Sequence, residues 1–159
     1  MPQKIIARNK KQQPEFELQK QICSYLKNQY PNVLFLSDTV ASLKLTKPQQ
    51  LRNKAIQKTG FKTPDLLILE PNGKFSGLFI ELKVKTIYKK NGFDLLKNEH
   101  VEEQALSIEI LNNKGYFACF SWGFEMTKKI IDDYLSQKTH DTLQTLPTIL
   151  QDPRENRMR

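Results

Sequence analysis

The stretch Pro64-Asp65-Leu66-Leu67-Ile68-Leu69-Glu70-Pro71-Asn72-Gly73-Lys74-Phe75-Ser76-Gly77-Leu78-Phe79-Ile80-Glu81-Leu82-Lys83-Val84 holds two apolar runs on either side of a turn. Leu66 to Leu69 is too short for a helix and reads as a strand. Pro71-Asn72-Gly73 reverses the chain, and Ser76 to Val84 returns as the second strand of an antiparallel hairpin. Strand alternation puts Glu81 and Lys83 on one face and Ile80, Leu82 and Val84 on the other. A lone charge is costly to bury, so charged groups inside an apolar pattern need a reason. One reason is a structural ion pair on a solvated sheet face. The other is an acid that binds metal beside a lysine that handles a water or a phosphate. In a hairpin the start of one strand lies near the end of the other, which brings Asp65 toward Glu81. Asp65 alone reads equally as a turn or strand-start residue. Two carboxylates brought together repel unless a cation lies between them, and hard oxygen ligands suit Mg²⁺ or Mn²⁺.

Outward from this hairpin the chain alternates helices and strands. Pro14 opens a helical pattern that stops before Pro31, with Leu18, Ile22, Tyr25 and Leu26 on its buried side. Val33 to Ser37 reads as a short strand, Pro48 to Lys58 as a second helix ended by Gly60, and residues 38–47 are ambiguous. Beyond the hairpin, Thr86 to Leu96 carries an Asn91-Gly92 turn and reads as a small projecting hairpin. Glu99 to Asn113 is a helix punctuated by Gly115, Tyr116 to Ser121 a strand, and Gly123 to Ser136 the last helix. The expected domain spans residues 14–136, between a flexible basic arm at 1–13 and a tail at 137–159.

The length of 159 residues fits one domain with its own core. Lysine and arginine number 25 against 17 acids, a net charge of +8, which favours a polyanionic partner such as nucleic acid. Cys23 and Cys119 have neither metal-ligand spacing nor the count of a disulfide framework, and read as small buried residues. Residues 1–13 have no apolar core of a secretory signal, and no apolar run approaches the roughly 18 residues of a membrane span. The expected class is a reduced, cytoplasmic α/β domain with no membrane partner.

At about 100° per residue, Glu15 and Gln19 point with Ile22 and Leu26 toward the interior, while Glu17 points to solvent. Inward polar groups need partners, which an active site supplies; Glu15 is also suited to a helix first turn on dipole grounds alone. Gln104 shares a stripe with Val101, Ile108 and Leu111, with His100 one turn before it.

Glu15 and Gln19, Pro64-Asp65, Glu81-Leu82-Lys83 and Gln104, in this order, resemble the PD-(D/E)XK nuclease superfamily and, more closely, its VRR-NUC branch, including stand-alone phage-type members. The resemblance runs from about Glu15 to Leu135 and includes Gly60, Gly77-Leu78-Phe79-Ile80 and Gly115-Tyr116. The chain departs from it at Lys62-Thr63, where many relatives carry glycine before Pro-Asp, and in a long interval from Lys83 to Gln104. The resemblance implies a restriction-endonuclease-like αβββαβ core, a mixed sheet flanked by helices. It implies that Asp65 and Glu81 bind the divalent ion, with the Leu82 carbonyl as third ligand and Glu15 completing the shell. Lys83 would orient the attacking water and offset phosphate charge, and Gln104 would steady Lys83 or a metal-bound water. Lys85, Lys89, Lys90, Lys97 and His100 would contact DNA. The activity implied is metal-dependent DNA endonuclease cleavage, selective for branched or four-way-junction DNA in replication, repair or recombination, by a homodimer in a bacterial or phage-infected cell. The alternative is a non-catalytic DNA-binding module that kept the fold, with Glu81 and Lys83 reduced to a salt bridge.

Overall fold

The computed structural model describes residues 14–37, 45–89 and 98–136. Its elements run α1 (Pro14–Gln29), β1 (Phe35–Ser37), α2 (Lys47–Ile56), β2 (Leu66–Ile68), β3 (Leu78–Lys83), α3 (Glu99–Asn113), β4 (Phe117–Trp122) and α4 (Gly123–Leu135). The strands form one sheet in the order β1-β2-β3-β4. The first two pairings are antiparallel and β3 runs parallel to β4. A parallel neighbour needs a crossover, and α3 supplies it. The αβββαβ order expected from the sequence is borne out, with α2 set between β1 and β2.

Leu78 to Leu82 are all buried, because β3 lies inside the sheet and both of its faces are covered. Helices α1 and α4 pack on each other and on β3, and α3 packs on β4. Ile22 and Leu26 of α1 meet Ile130, Ile131 and Tyr134 of α4 in a core that also holds Leu66, Ile68, Leu78, Ile80, Phe117 and Phe120. A polar clasp joins the two helices. The Tyr25 and Tyr30 hydroxyls donate to Asp132 Oδ1 at 2.5 and 2.8 Å, and Lys128 Nζ donates to Oδ2 at 2.7 Å. Burial pushes the Asp132 carboxyl up, but these donors outweigh it and hold the group below the usual range.

Helix α3 ends where Gly115 takes a φ of +87°, a left-handed conformation natural to glycine. The Tyr116 N–H then reaches the Leu111 carbonyl at 3.2 Å and the Gly115 N–H that of Asn112 at 3.1 Å, which stops the helix and feeds β4. Strand β4 is the outer strand, and the Asn112 side chain occupies its free edge. That amide accepts from the Ala118 N–H at 2.8 Å and donates to the Ala118 carbonyl at 3.0 Å. At Gly77 a Cβ would lie 3.0 Å from the Ile68 carbonyl oxygen, so glycine permits the close approach of β3 to β2.

Several boundaries differ from expectation. Strand β1 begins at Phe35 rather than Val33, since the Leu34 N–H is taken by the Glu70 carboxylate at 3.0 Å. Helix α2 starts at Lys47, where Gln49 Oε1 accepts from the Thr46 N–H at 2.9 Å, and ends at Ile56. The stretch read as a projecting hairpin from Thr86 is anchored at its base: Ile87 and Tyr88 are buried, and Tyr88 stands edge-on to Trp122. The rest of that hairpin, with Lys90 and Lys97, lies outside the described residues, as do the arm at 1–13 and the tail at 137–159. Cys119 is buried and Cys23 partly so; both are free. Among the described residues no helix is long and apolar enough to cross a membrane.

Candidate active site

The hairpin register pairs Leu66 with Ile80. One step further sets Asp65 across from Glu81, and cross-strand partners share a face. Both line a cleft of about 1160 Å³, together with Glu15 and Gln19 from α1, Lys83 at the end of β3, and His100 and Gln104 from α3. The Asp65 Oδ2 accepts from the Leu82 N–H at 2.8 Å, which fixes its carboxylate against the strand that carries Glu81. Glu81 is 5% exposed, and its Oε1 accepts from Lys83 Nζ at 3.0 Å and from Gln104 Nε2. Gln104 Nε2 also lies 3.1 Å from His100 Nε2. On the other side of that ring Lys62 Nζ lies 3.1 Å from Nδ1 and 2.5 Å from a Glu103 oxygen. Gln19 Nε2 donates to Ser37 Oγ at 2.7 Å, and that hydroxyl donates to the Asp65 carbonyl at 3.2 Å. Helix α1 and strand β1 thus brace the backbone of Asp65.

Burial and the facing Asp65 charge push the Glu81 carboxyl up to about 7, against the pull of Lys83. Burial raises Asp65 as well, partly offset by the Leu82 N–H and Lys83. The His100 imidazole is lowered by burial and by the nearby Lys62 and Lys83 charges. Two carboxyls side by side, one buried and one half-buried, both raised chiefly by burial, are a donor pair for a divalent cation, which would hold both as anions. Gln104 Oε1 is buried and has no hydrogen-bond partner among the described residues, leaving a further hard oxygen beside Glu81. The donor set therefore fits Mg²⁺ or Mn²⁺. Among the described residues no three acidic, histidine or cysteine side chains gather closely enough for a metal cluster.

Two expectations need correction. Glu15 lines the cleft but is exposed, because the buried stripe of α1 starts only at Leu18 and its first turn overhangs the core. Its charge still reaches the site, where it raises Asp65. Gln104 makes no direct bond to Lys83, one of its two expected roles: Lys83 Nζ folds back to Glu81, and the amide donates to that same oxygen. The solvated ion pair is also excluded: the Lys83 and Glu81 side chains are 14% and 6% exposed.

No family model matches this sequence, and no curated protein matches it. Among solved structures, the chain is similar to a VRR_NUC domain protein, with a TM-score of 0.52 and 22% identity over 79% of this chain and 91% of that one. The fold is that of a VRR_NUC domain. Within this VRR_NUC fold, Asp65 stands immediately before β2 while Glu81 and Lys83 close β3, so the hairpin itself gathers the charged groups at one end of the sheet. Lys85 and Lys89 follow β3 and are exposed, and His100 opens α3 at the cleft. The cleft also holds residues that carried no clear sign in the sequence: Ser37, Lys62 and, from α2 and its end, Asn53 and Gln57. The one available signal was the complete lack of acids from Lys47 to Lys58.

Proposed function

We propose that this protein is a divalent-metal-dependent DNA endonuclease that hydrolyses phosphodiester bonds. The observation that carries the reading is the convergence of Asp65, Glu81 and Lys83 in one cleft, two carboxyls with raised pKa values and a lysine within 3.0 Å of one of them. Asp65 and Glu81 would hold a divalent ion, and the chemistry it would supply is what phosphodiester hydrolysis requires, a water made more acidic and a polarised phosphate oxygen. Lys83 sits beside Glu81 with its ammonium in the cleft, where it offsets negative charge building on the phosphate and orients a water for attack. Gln104 and Lys83 together hold Glu81 in one orientation, and Ser37 and Gln19 hold the Asp65 backbone. Glu15, at the cleft edge, would complete the set of groups that hold the ion. Lys85 and Lys89, with Lys90 and Lys97, supply sequence-independent attraction to the DNA backbone, and His100 contacts DNA from α3.

The finer reading is selectivity for branched DNA by a two-fold dimer, in replication, repair or recombination inside the cell. Each chain brings one such site, and paired cuts across a junction need two. Nicking of supercoiled plasmid that appears with Mg²⁺ or Mn²⁺ and vanishes with chelator is the expected result. DNA binding without nicking under any divalent metal would instead make the protein a binding module that kept the fold.

A further inference from the structure

Helix α2 buries none of its residues, an unusual state for a helix in a domain of this size. Amphipathic helices form because packing an apolar face repays their ordering, and α2 has no such face: Leu51 is 69% and Ile56 83% exposed. What α2 does have is a position. It follows β1, precedes the Asp65 loop, and lines the cleft that contains the two carboxyls with Gln50, Asn53 and Gln57. Gln50 Nε2 is spent on the Leu45 carbonyl at 2.9 Å, which fastens the start of the helix. The Asn53 and Gln57 amides have no hydrogen-bond partner among the described residues and face the cleft. At about 100° per residue, Gln50 and Asn53 share a stripe, and Lys47 and Lys54 form a second stripe, its centre turned from the first by roughly 80°. No acid occurs from Lys47 to Lys58.

We infer that α2 is the substrate-reading wall of the cleft: Lys47 and Lys54 grip the phosphate backbone of the DNA, and Asn53 and Gln57 read base edges beside the cleavage position. This rests on the proposed nuclease reading. The division of labour follows from the chemistry of the side chains. An ammonium is a donor only and serves a phosphate whatever the sequence. A carboxamide offers a donor and an acceptor together, and that pairing matches base edges, adenine in particular, rather than phosphate oxygens. The amides line the cleft, and the lysines lie on the neighbouring stripe of α2, turned by roughly 80°. A purely structural helix would require neither arrangement.

Binding of a fluorescent 30-base-pair duplex in chelator, followed across a salt series, tests the grip separately from catalysis. Lys47→Ala/Lys54→Ala should weaken binding and reduce the slope of log K against log salt by about 2, at roughly 0.9 per phosphate contact. Lys27→Ala/Lys114→Ala removes the same charge from exposed positions outside the cleft and should leave the slope nearly unchanged. Equal slopes for the two double variants would overturn the phosphate contacts. Mapping the cut positions of an end-labelled duplex in Mg²⁺ tests the reading role. Asn53→Ala/Gln57→Ala should redistribute cuts among positions, by severalfold at individual sites, while total cleavage changes less. An unchanged cut pattern would overturn the base contacts. If the wild type does not cut, footprinting by hydroxyl radicals in chelator provides the same comparison: protection shifted by the amide variant supports the inference and identical protection refutes it. A failure of the nuclease reading is thereby seen in the wild type alone, and a failure of this inference only in the variants.

Discussion

Lys83 and Glu81 illustrate how two residues spaced by one can share a task only when the sheet buries them. The ion pair at 3.0 Å leaves the ammonium in the cleft beside the Asp65 carboxylate. Lys83→Ala should lower turnover at saturating DNA by on the order of 10²-fold, the scale of a single electrostatic contributor to a charged transition state. Its effect on DNA affinity should be small, whereas Lys85→Ala/Lys89→Ala should change affinity and salt slope with turnover preserved; a Lys83→Ala variant that only binds more weakly would contradict the role. Glu81 also ties the site to pH. Its native carboxyl keeps its proton up to about 7, while an unfolded glutamate releases it near its ordinary 4.5. Between those values the native state binds more protons, so metal-free stability falls as pH rises through this window. Thermal melts in chelator should show this decline from pH 5 to 8 in the wild type and a flatter profile in Glu81→Gln, which cannot titrate there. Asp65, Glu81 and Lys83 were legible in the sequence because each charge interrupts or borders an apolar strand. The exposure of Glu15 was not, since helical angle gives direction and not how far the core extends beneath the first turn.

The elements divide into those that the sequence pattern marks and those that tertiary contact defines. The β2–β3 hairpin and α3 are legible to within a residue or two, because the Pro71-Asn72-Gly73 turn and Gly115 are local signals. Helix α2 was legible as a helix but not as a wall of the cleft, since nothing local says where a helix without a buried face is laid. The bracing of the β4 edge by Asn112 was likewise invisible, as a buried asparagine near a helix end reads as an ordinary cap. Asn112→Ala removes both bonds to Ala118 and leaves a buried N–H and carbonyl unpaired. It should destabilise the fold by about 2–3 kcal/mol, measured as a shift of the urea midpoint with the slope unchanged. A loss below about 0.5 kcal/mol would mean that β4 needs no such edge partner.

At the scale of the whole molecule, the sequence carries a net charge of +8, and the cleft holds the acidic pair Asp65 and Glu81. On the proposed reading, the basic excess serves attraction to a polyanion and the acidic pair serves the ion. If two subunits pair to cut branched DNA, sedimentation at micromolar concentration should give a dimer, and a four-way junction should be cut faster than linear duplex of the same sequence. A strict monomer that cuts both equally would contradict the branched-substrate reading while leaving the chemistry intact. The chemistry itself is tested most directly by supercoiled plasmid nicking in Mg²⁺ with wild type, Asp65→Asn and Glu81→Gln, alongside DNA affinity and melting temperature for each. Both variants should fold and bind DNA, yet lose nicking by on the order of 10²-fold or more, the loss expected when the groups that activate water and phosphate are removed. Either variant nicking at close to the wild-type rate would contradict the assignment of the Asp65–Glu81 pair as the catalytic centre.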